Sequence, residues 1–299
     1  MNKILERLEL DAGEPFAGHK GCGGCGGTVA LRLALKALGP RVFVGIPAGC
    51  MSAISFLYPQ MALGVNAMIS TFAGTASLIS GMRAAADRRG FGDAHVLGFA
   101  GDGGTADIGL QALSGAIDRK ERVIYICYDN EAYMNTGVQK SGLTPFTANT
   151  TTSPARTGTG NAVSGHKKDM FDIVVAHRIA YAATASVGFP QDYIRKVQKA
   201  ARTEGTSYIQ VLAPCPTGWG CESDSLGELA RLAVDTGIWP LQEYDQDRFS
   251  LQRNPATFKP VREYVSAQAR FRHLGEDELA QIEAERDARW SNLRRRIES

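Results

Sequence analysis

The feature that most constrains this chain is a pair of short apolar segments that both end in small or polar residues. Residues 94–105 run into Gly-Asp-Gly-Gly at positions 101–104, and residues 122–130 end in Asp-Asn. Both segments have the length of a buried strand, and residues 106–120 between them predict one crossover helix. Because such a strand–helix–strand unit is right-handed and parallel, we expect the two strand ends at the same edge of a sheet.

The residues at these two strand ends are suited to holding a metal-bound diphosphate. Gly101, Gly103 and Gly104 have no Cβ, so their backbone N–H groups can come close to an anion. Asp102 adds an oxygen ligand that suits Mg²⁺ or Ca²⁺, and Asn130 adds a second oxygen. The alternative is that Gly-Asp-Gly forms only a turn. The second strand end favours a cofactor, and the spacing resembles the thiamine diphosphate motif, in which an Asn follows Gly-Asp-Gly by less than thirty residues.

The composition is that of a globular protein without a charge-driven partner. Of 299 residues, 44% are hydrophobic and 21% are charged, and the net charge of +2 gives no reason to expect nucleic acid. Residues 1–18 lack the apolar region of a secretory signal, and no apolar stretch approaches the roughly 20 residues that cross a bilayer. We therefore expect a cytoplasmic protein without a membrane partner, whose six cysteines are ligands or buried thiols rather than disulfides.

The rest of the chain predicts strands that alternate with helices. Strand patterns occupy 41–47, 64–71, 181–187 and 207–213, and helical patterns occupy 28–38, 74–89, 169–177, 190–203, 226–236 and 275–297. With the central pair this gives about six strands and predicts an α/β fold, a doubly wound parallel sheet with its chemistry at the carboxyl ends of the strands. We expect one α/β domain over residues 1–236 and a C-terminal extension with a helical arm over 237–299, irregular from 237 to 271.

Two segments have neither a strand nor a helix period. Residues 2–15 are expected to form a polar arm. Residues 141–168 are rich in Thr, Ser, Gly and Pro and follow the Asn130 turn directly. A loop of that length in a compact domain is either functional or mobile, and its position favours an active-site or interface loop.

Four cysteines stand in glycine- or proline-rich turns, next to predicted strand ends or helix starts. They are Cys22 and Cys25 in a C-x-x-C loop, Cys50, and Cys215 between two prolines. Four thiolates that converge at the sheet edge suit either a [4Fe–4S] cluster or a Cys₄ zinc site, and ligand count does not choose between them. Cys127 lies inside a strand and is expected to be a core residue. Cys221 lies in a loop and could be a free thiol or a replacement ligand.

These motifs, taken together and in order, resemble the β subunit of a 2-oxoacid:ferredoxin oxidoreductase of the pyruvate synthase type. The resemblance covers nearly the whole chain. Its central motifs are Phe-Ala-Gly-Asp-Gly-Gly-Thr-Ala-Asp-Ile-Gly at 99–109 and Tyr-Asp-Asn-Glu-Ala-Tyr-Met-Asn-Thr-Gly at 128–137. It also rests on the cysteine motifs at 18–26, 48–50 and 213–219, and on shorter matches at 150–154, 167–170 and 270–274.

The resemblance implies two cofactors at the predicted sheet edge. Cys22, Cys25, Cys50 and Cys215 would hold a [4Fe–4S] cluster beside thiamine diphosphate. Asp102 and Asn130 would bind Mg²⁺ through their side chains and Ala132 through its carbonyl, while Gly101, Gly103 and Gly104 line the diphosphate. Asn135 matches a family residue that lies over the thiazolium ring. A redox cluster removes single electrons after decarboxylation of the 2-oxo acid, whereas zinc has no redox chemistry, so this role favours iron.

The resemblance also implies that the chain works in a complex. In this family the carboxylate that activates the aminopyrimidine comes from a partner α subunit, so we expect the isolated chain to be inactive. Partner γ and ferredoxin-like δ subunits are implied, with a 2-oxo acid and coenzyme A as substrates. The electron acceptor would be ferredoxin or a flavoprotein.

One departure from the family pattern concerns the substrate. Pyruvate-type relatives often have Phe-Glu-Asn-Ala where this chain has Phe72-Ala73-Gly74-Thr75. Smaller residues there could widen a pocket, which predicts an aryl or branched 2-oxo acid. Two other hypotheses remain at this point: a non-redox thiamine diphosphate decarboxylase or carboligase with structural zinc, and an assembly subunit that binds no cofactor.

Overall fold

The structure is a computed structural model that describes residues 13–154 and 166–298. The predicted arm at 2–15 therefore lies almost wholly outside the described residues, as does the middle of the predicted loop at 141–168.

Eight strands form one sheet, with the bounds β1 Val42–Pro47, β4 Asn66–Ser70, β5 His95–Gly101, β6 Ile124–Asp129, β7 Tyr181–Ser186, β8 Ser207–Leu212, β9 Gln242–Asp245 and β10 Arg248–Leu251. Their order in the sheet is β10-β9-β7-β8-β6-β5-β1-β4. The strands from β4 to β7 in this order are all parallel, which confirms the predicted sheet of six parallel strands. A small hairpin, β2 Phe56–Leu57 and β3 Gln60–Met61, stands apart from it.

Helices cover both faces of the sheet. Their bounds are α1 Gly26–Leu38, α2 Cys50–Ser55, α3 Thr75–Arg88, α4 Asp102–Ala106, α5 Leu110–Asp118, α6 Met170–Ala176, α7 Pro190–Ala200, α8 Pro216–Trp219, α9 Leu226–Asp235, α10 Val261–Ser266 and α11 Glu276–Glu298, with a 3₁₀ turn η1 at Ala269–Phe271. Side chains alternate along β6: Ile126 joins the core under α1 and α7, and Tyr125 joins the core under α3, α5 and α6. This alternation is what a strand buried on both faces requires.

Two parts of the predicted architecture were wrong. The crossover after Gly101 is two short helices, α4 and α5, rather than one helix over 106–120. At this break Gly109 packs on the Gly104 carbonyl, where a Cβ would lie 2.1 Å from the oxygen. Residues 237–271 are not irregular either, since they contain β9, β10 and α10.

The C-terminal segment joins the body through the sheet and through a third apolar cluster. Strand β9 pairs antiparallel with β7. Its polar sequence does not predict a buried strand. Glu243 can be buried there because it accepts hydrogen bonds from Tyr181 and Arg195, which are distant in sequence. The cluster contains Trp219, Leu229, Trp239, Phe271 and Leu279. Within the described residues, no helix is both long enough and apolar enough to cross a bilayer.

The strand order locates the site. The chain runs from β1 outward to β4 and then returns to place β5 on the other side of β1. In doubly wound sheets, a ligand crevice forms beside such a reversal at the carboxyl ends of the strands. The carboxyl ends of β1, β5 and β6 lead into Cys50, Asp102 and Asn130 respectively.

Candidate functional site

Three oxygen-bearing groups meet where β5 and β6 end. One terminal atom of the Asn130 amide lies 2.9 Å from Oδ1 of Asp102 and 3.0 Å from the carbonyl oxygen of Ala132. If that atom is the amide oxygen, three oxygens face one another, and a cation bound to all three would offset their mutual repulsion. Oxygens bound to one Mg²⁺ at about 2.1 Å in octahedral geometry lie about 3.0 Å apart. The spacing of these three groups therefore fits a magnesium site. With the Asn130 amide flipped, its nitrogen instead donates hydrogen bonds to the other two oxygens, and no metal is needed to hold them together.

The Asp102 side chain is buried, and within residues 13–154 and 166–298 it forms no salt bridge, although the Lys167 charge is near enough to act on its pKa. It is 2% exposed, and its Oδ2 accepts from Ser141 Oγ. Burial, followed by the neighbouring Asp129 charge, raises the pKa of Asp102 well above its usual value. A cation bound at Oδ1 would supply the positive charge that this buried carboxylate lacks.

The turn at residues 130–132, here called the metal turn, has three backbone carbonyls, and protein groups donate hydrogen bonds to the first two. Trp219 Nε1 donates to the Asn130 carbonyl at 2.8 Å, and Thr144 Oγ1 donates to the Glu131 carbonyl at 2.8 Å. Glu131 has a backbone φ of 69°, a value that residues other than Gly and Asn rarely adopt. The Ala132 carbonyl is thus the one left to face Asp102 and Asn130.

The glycines of the Gly-Asp-Gly-Gly segment have different neighbours. A Cβ on Gly103 would lie 2.2 Å from the Tyr133 ring, so this glycine makes room for Tyr133. A Cβ on Gly101 would lie 3.2 Å from the Tyr128 hydroxyl, and one on Gly104 would lie 3.3 Å from Phe72. The segment starts helix α4 rather than forming a free loop. Close approach of aromatic rings, which sequence reasoning did not foresee, therefore accounts for part of the glycine requirement.

An open cleft with a volume of about 200 Å³ lies over these residues. It is lined by the candidate residues Cys50, Gly101, Asp102, Gly103, Gly104, Asn130, Ala132 and Asn135, with Gly49, Phe72, Tyr128 and Tyr133 among the others, whereas Cys22, Cys25 and Cys215 are not among its lining residues. Asn135, whose side chain is exposed, also lines the cleft.

The four candidate cysteines come from three separate turns that pack together. A Cβ on Gly26 would lie 2.6 Å from the Ala213 backbone, and Gly26 N donates to the Pro214 carbonyl at 3.0 Å. The C-x-x-C loop therefore lies directly against the turn that carries Cys215. Cys215 caps helix α8, where its Sγ accepts from Gly218 N at 3.4 Å. Cys50 starts helix α2 at the end of β1.

The four thiols are close enough to influence one another's charge. Burial, then Cys215, Cys25 and Cys22, raises the pKa of Cys50 to about 12. Burial, with Cys25 and Cys22, raises the pKa of Cys215 to about 11. Yet among residues 13–154 and 166–298 no three His, Cys, Asp or Glu side chains are spaced to hold one metal ion.

The predicted long loop returns to the site at both ends. Ser141 contacts Asp102, and Gly142 N donates to Asp107 at 2.9 Å. Lys168 Nζ pairs with Asp107 at 2.6 Å. Both described ends of the loop therefore support the interpretation that it is an active-site loop. Residues 155–165 lie outside the described part.

A buried ion network behind the metal turn was missed by sequence reasoning. Lys167 Nζ lies 2.8 Å from both Asp129 Oδ2 and Glu131 Oε1, and Arg270 pairs with Glu131 at 2.5 Å. Burial alone would raise the pKa of Glu131, but Lys167 and Arg270 lower it. The motif matches at 128–137, 167–170 and 270–274 marked these segments as similar to the family, but gave no sign that their charges meet.

Comparison with known proteins identifies the family of the chain. Residues 47–211 match the family described as thiamine pyrophosphate enzyme, C-terminal TPP binding domain. The chain therefore belongs to the thiamine diphosphate-binding class of enzyme domains. Among solved structures, a 2-oxoglutarate:ferredoxin oxidoreductase from Magnetococcus marinus has a TM-score of 0.59 at 17% identity, with 92% of this chain and 95% of that chain covered, which shows the likeness of fold.

Curated relatives define the family more narrowly. Pyruvate synthase subunit PorB of Methanothermobacter thermautotrophicus is 48% identical, with 93% of this chain and 96% of the relative covered. Ketoisovalerate oxidoreductase subunit VorB of Pyrococcus horikoshii is 45% identical, with 99% and 97% covered. The chain belongs to this family of 2-oxoacid oxidoreductase subunits, and it is an oxidoreductase subunit that acts with partner subunits.

Proposed function

We propose that this chain is the cofactor-binding catalytic subunit of a complex that oxidatively decarboxylates a 2-oxo acid to an acyl-coenzyme A and CO₂, and passes single electrons to ferredoxin or a flavoprotein. The observation that carries the proposal is the shared cleft: Cys50 lines it together with Asp102 and Asn130. A metal-bound diphosphate and a redox centre would therefore be close neighbours. Family membership supports the same reaction class.

The residues present fit both groups. Thiamine diphosphate supplies a carbanion nucleophile and an electron sink, and a [4Fe–4S] cluster supplies a one-electron acceptor. Asp102, Asn130 and the Ala132 carbonyl hold Mg²⁺, while the glycines at 101, 103 and 104 lie along the diphosphate. The four thiolates of Cys22, Cys25, Cys50 and Cys215 hold the cluster. Asn135 lies at the mouth of the cleft, where its amide can hydrogen-bond the substrate.

The catalytic carboxylate for the aminopyrimidine comes from a partner α subunit, and γ and ferredoxin-like δ subunits complete the cytoplasmic complex. We therefore expect no decarboxylation by the isolated chain with added Mg²⁺ and thiamine diphosphate. Full activity of the isolated chain would contradict this assignment.

The substrate is proposed to be pyruvate or a bulkier aryl or branched 2-oxo acid. Phe72 and Tyr133 form one wall of the cleft, with ring centroids 5.9 Å apart, and the small residues Ala73 and Gly74 follow. The relatives include both a pyruvate synthase and a ketoisovalerate oxidoreductase subunit. A panel of pyruvate, 2-oxoisovalerate and phenylpyruvate, assayed with coenzyme A and a one-electron acceptor, measures the preference. Strict preference for pyruvate would rule out the bulky substrates.

The alternative is a non-redox thiamine enzyme with zinc on the four cysteines. The metal on this chain and the reduction of an electron acceptor distinguish it from the proposal. The proposal predicts that this chain, separated from the ferredoxin-like subunit, carries iron and has a visible absorbance that dithionite bleaches, and that acceptor reduction by the whole complex depends on the 2-oxo acid. A colourless separated chain that carries zinc, from a complex that releases aldehyde without reducing an acceptor, would establish the alternative.

A further inference from the structure

The buried network behind the metal turn joins the two halves of the site. Arg270 lies in the 3₁₀ turn η1, and Ala269 N in the same turn donates to the Gly220 carbonyl at 3.1 Å. Gly220 ends helix α8, whose first cap is Cys215. A Cβ on Gly220 would lie 2.5 Å from the Ala269 Cβ, so the turn and the helix are in direct contact. Arg270 is thus fixed to the element that carries a candidate iron ligand.

From there the Arg270 side chain reaches the metal turn by two routes. Its Nη2 donates to Glu131 Oε2 at 2.5 Å. Its guanidinium also lies 3.9 Å above the Trp219 ring, and Trp219 Nε1 donates to the Asn130 carbonyl. Gln268 Oε1 accepts a hydrogen bond from Arg270 Nε at 2.9 Å and so fixes the orientation of the guanidinium plane. Arg270 and Glu131 are 5% and 3% exposed, so water does not screen the pair.

Glu131 in turn fixes the backbone of the metal turn. Its φ of 69° is an uncommon conformation for a long side chain, and ion pairs to Arg270 and Lys167 hold the side chain in place. The neighbours on either side, Asn130 and Ala132, supply two of the three groups that face the metal position. A shift of Glu131 therefore moves both at once.

We propose that Arg270 and Glu131 are positioning residues that couple the metal turn to the Cys215 turn, so that binding of Mg²⁺ and thiamine diphosphate tightens the thiolate side of the site. This inference rests on the proposed function, because it assumes that the diphosphate binds at the metal turn. By linkage, the coupling is reciprocal: whatever orders one turn favours order in the other. Arg rather than Lys is required, because a Lys cannot both stack on Trp219 and donate to two partners in one plane.

The test compares three single variants of the whole complex, and the double variant Arg270→Lys/Glu131→Gln, with the wild type. Arg270→Lys keeps the charge but loses the planar contacts, and Glu131→Gln keeps the shape but loses the charge. Arg262→Gln, which breaks an exposed ion pair with Glu276 in the same C-terminal segment, is the matched control. Calorimetry measures thiamine diphosphate affinity in the presence of Mg²⁺. Iodoacetamide alkylation of Cys215 in iron-free complex, followed by peptide mass spectrometry, reports on the second turn without requiring a cluster.

We expect Arg270→Lys and Glu131→Gln each to weaken thiamine diphosphate binding about 10-fold to 100-fold, and the effects not to add in the double variant. In the wild type and in Arg262→Gln, Mg²⁺ with thiamine diphosphate should slow Cys215 alkylation at least about threefold by linkage, and in the two network variants this protection should vanish while the basal rate stays unchanged. A merely structural role would instead raise the basal rate and lower the melting temperature.

The possible failures are distinguishable. If the wild type binds thiamine diphosphate normally and the network variants keep both its affinity and the Cys215 protection, the coupling is refuted while the proposed function stands. If the wild type binds no thiamine diphosphate, both are refuted. Weakened affinity with full Cys215 protection also overturns the coupling, because it would make the network a local support of the metal turn only.

Discussion

The metal turn and the cysteine turns lie at the same edge of the sheet but are built in different ways. The metal turn follows a core strand, and hydrogen bonds hold its Asn130 and Glu131 carbonyls and the Glu131 side chain. The cysteine turns are fixed mainly by close backbone contacts that only glycine permits, at Gly24 against Ser223 and at Gly26 against Ala213. Cys22 is exposed, whereas Asp102 is 2% exposed. We therefore expect the first region to be preformed, and the proposed cluster to be what would fix the thiols of the second.

The largest effect is expected from Asp102→Asn, which removes the charge from the centre of the preformed region. Because even supporting residues of a metal site are worth about 10-fold to 100-fold in affinity, loss of this ligand should weaken Mg²⁺-dependent thiamine diphosphate binding at least about 100-fold. Titration calorimetry on the complex measures it. Asp93→Asn, which removes an exposed partner of Arg41, is the control. Equal affinity in the two variants would remove Asp102 from the site.

The second prediction concerns whether the two regions can be separated. Cys50→Ser should abolish the cluster on this chain, lowering the iron content by about four atoms per copy, and leave thiamine diphosphate affinity within about threefold. Cys221→Ser should keep the iron, because the influences on the Cys221 thiol are burial, Ser225 and Arg270 rather than the other thiols. Iron analysis of the complexes that carry Cys50→Ser and Cys221→Ser tests this prediction. Full iron content in Cys50→Ser would show that the cluster lies elsewhere.

The third prediction tests the close contacts that hold the cysteine turns. Gly26→Ala should destabilise the complex by about 1–3 kcal/mol, since the added Cβ meets backbone that cannot move aside easily. Gly81→Ala is the matched control, because no atom lies within 4 Å of its added Cβ and it should be neutral or stabilising by up to about 1 kcal/mol. Urea unfolding gives both values. Equal behaviour of the two would mean that the contact at Gly26 is not tight.

These positions also show what could be predicted from sequence and what could not. The ends of β5 and β6 were predicted well, because apolar runs that stop at Gly-Asp-Gly and Asp-Asn are local signals. The Glu131–Lys167–Arg270 network was not, because each charge is ordinary in its own segment and only the fold brings them together. Strand β9 was missed for the same reason, since its buried Glu243 is stabilised by Arg195 and Tyr181 from other elements. The split of the crossover at Gly109 depended on a backbone contact that no pattern reports.

The smallest predicted effect is a pH dependence confined to the iron-free protein. The pKa of Cys50 is raised from 9.0 to about 12 in the folded chain. Below pH 9 the thiol is protonated in both states, so it contributes no slope. Between pH 9 and 12 the unfolded chain loses the proton more readily, so stability should fall as pH rises. Thermal unfolding of iron-free complex at pH 8, 9 and 10 measures this, and Cys50→Ser should flatten the slope.

The central claim, that one cleft of this chain serves both a magnesium-bound coenzyme and an iron cluster, is tested most directly by anomalous diffraction at the iron edge from crystals of the complex with Mg²⁺ and thiamine diphosphate. The account predicts an iron peak enclosed by Cys22, Cys25, Cys50 and Cys215, with the diphosphate at Asp102 and Asn130. Iron found only on other subunits, with these four thiols free or around zinc, would contradict it.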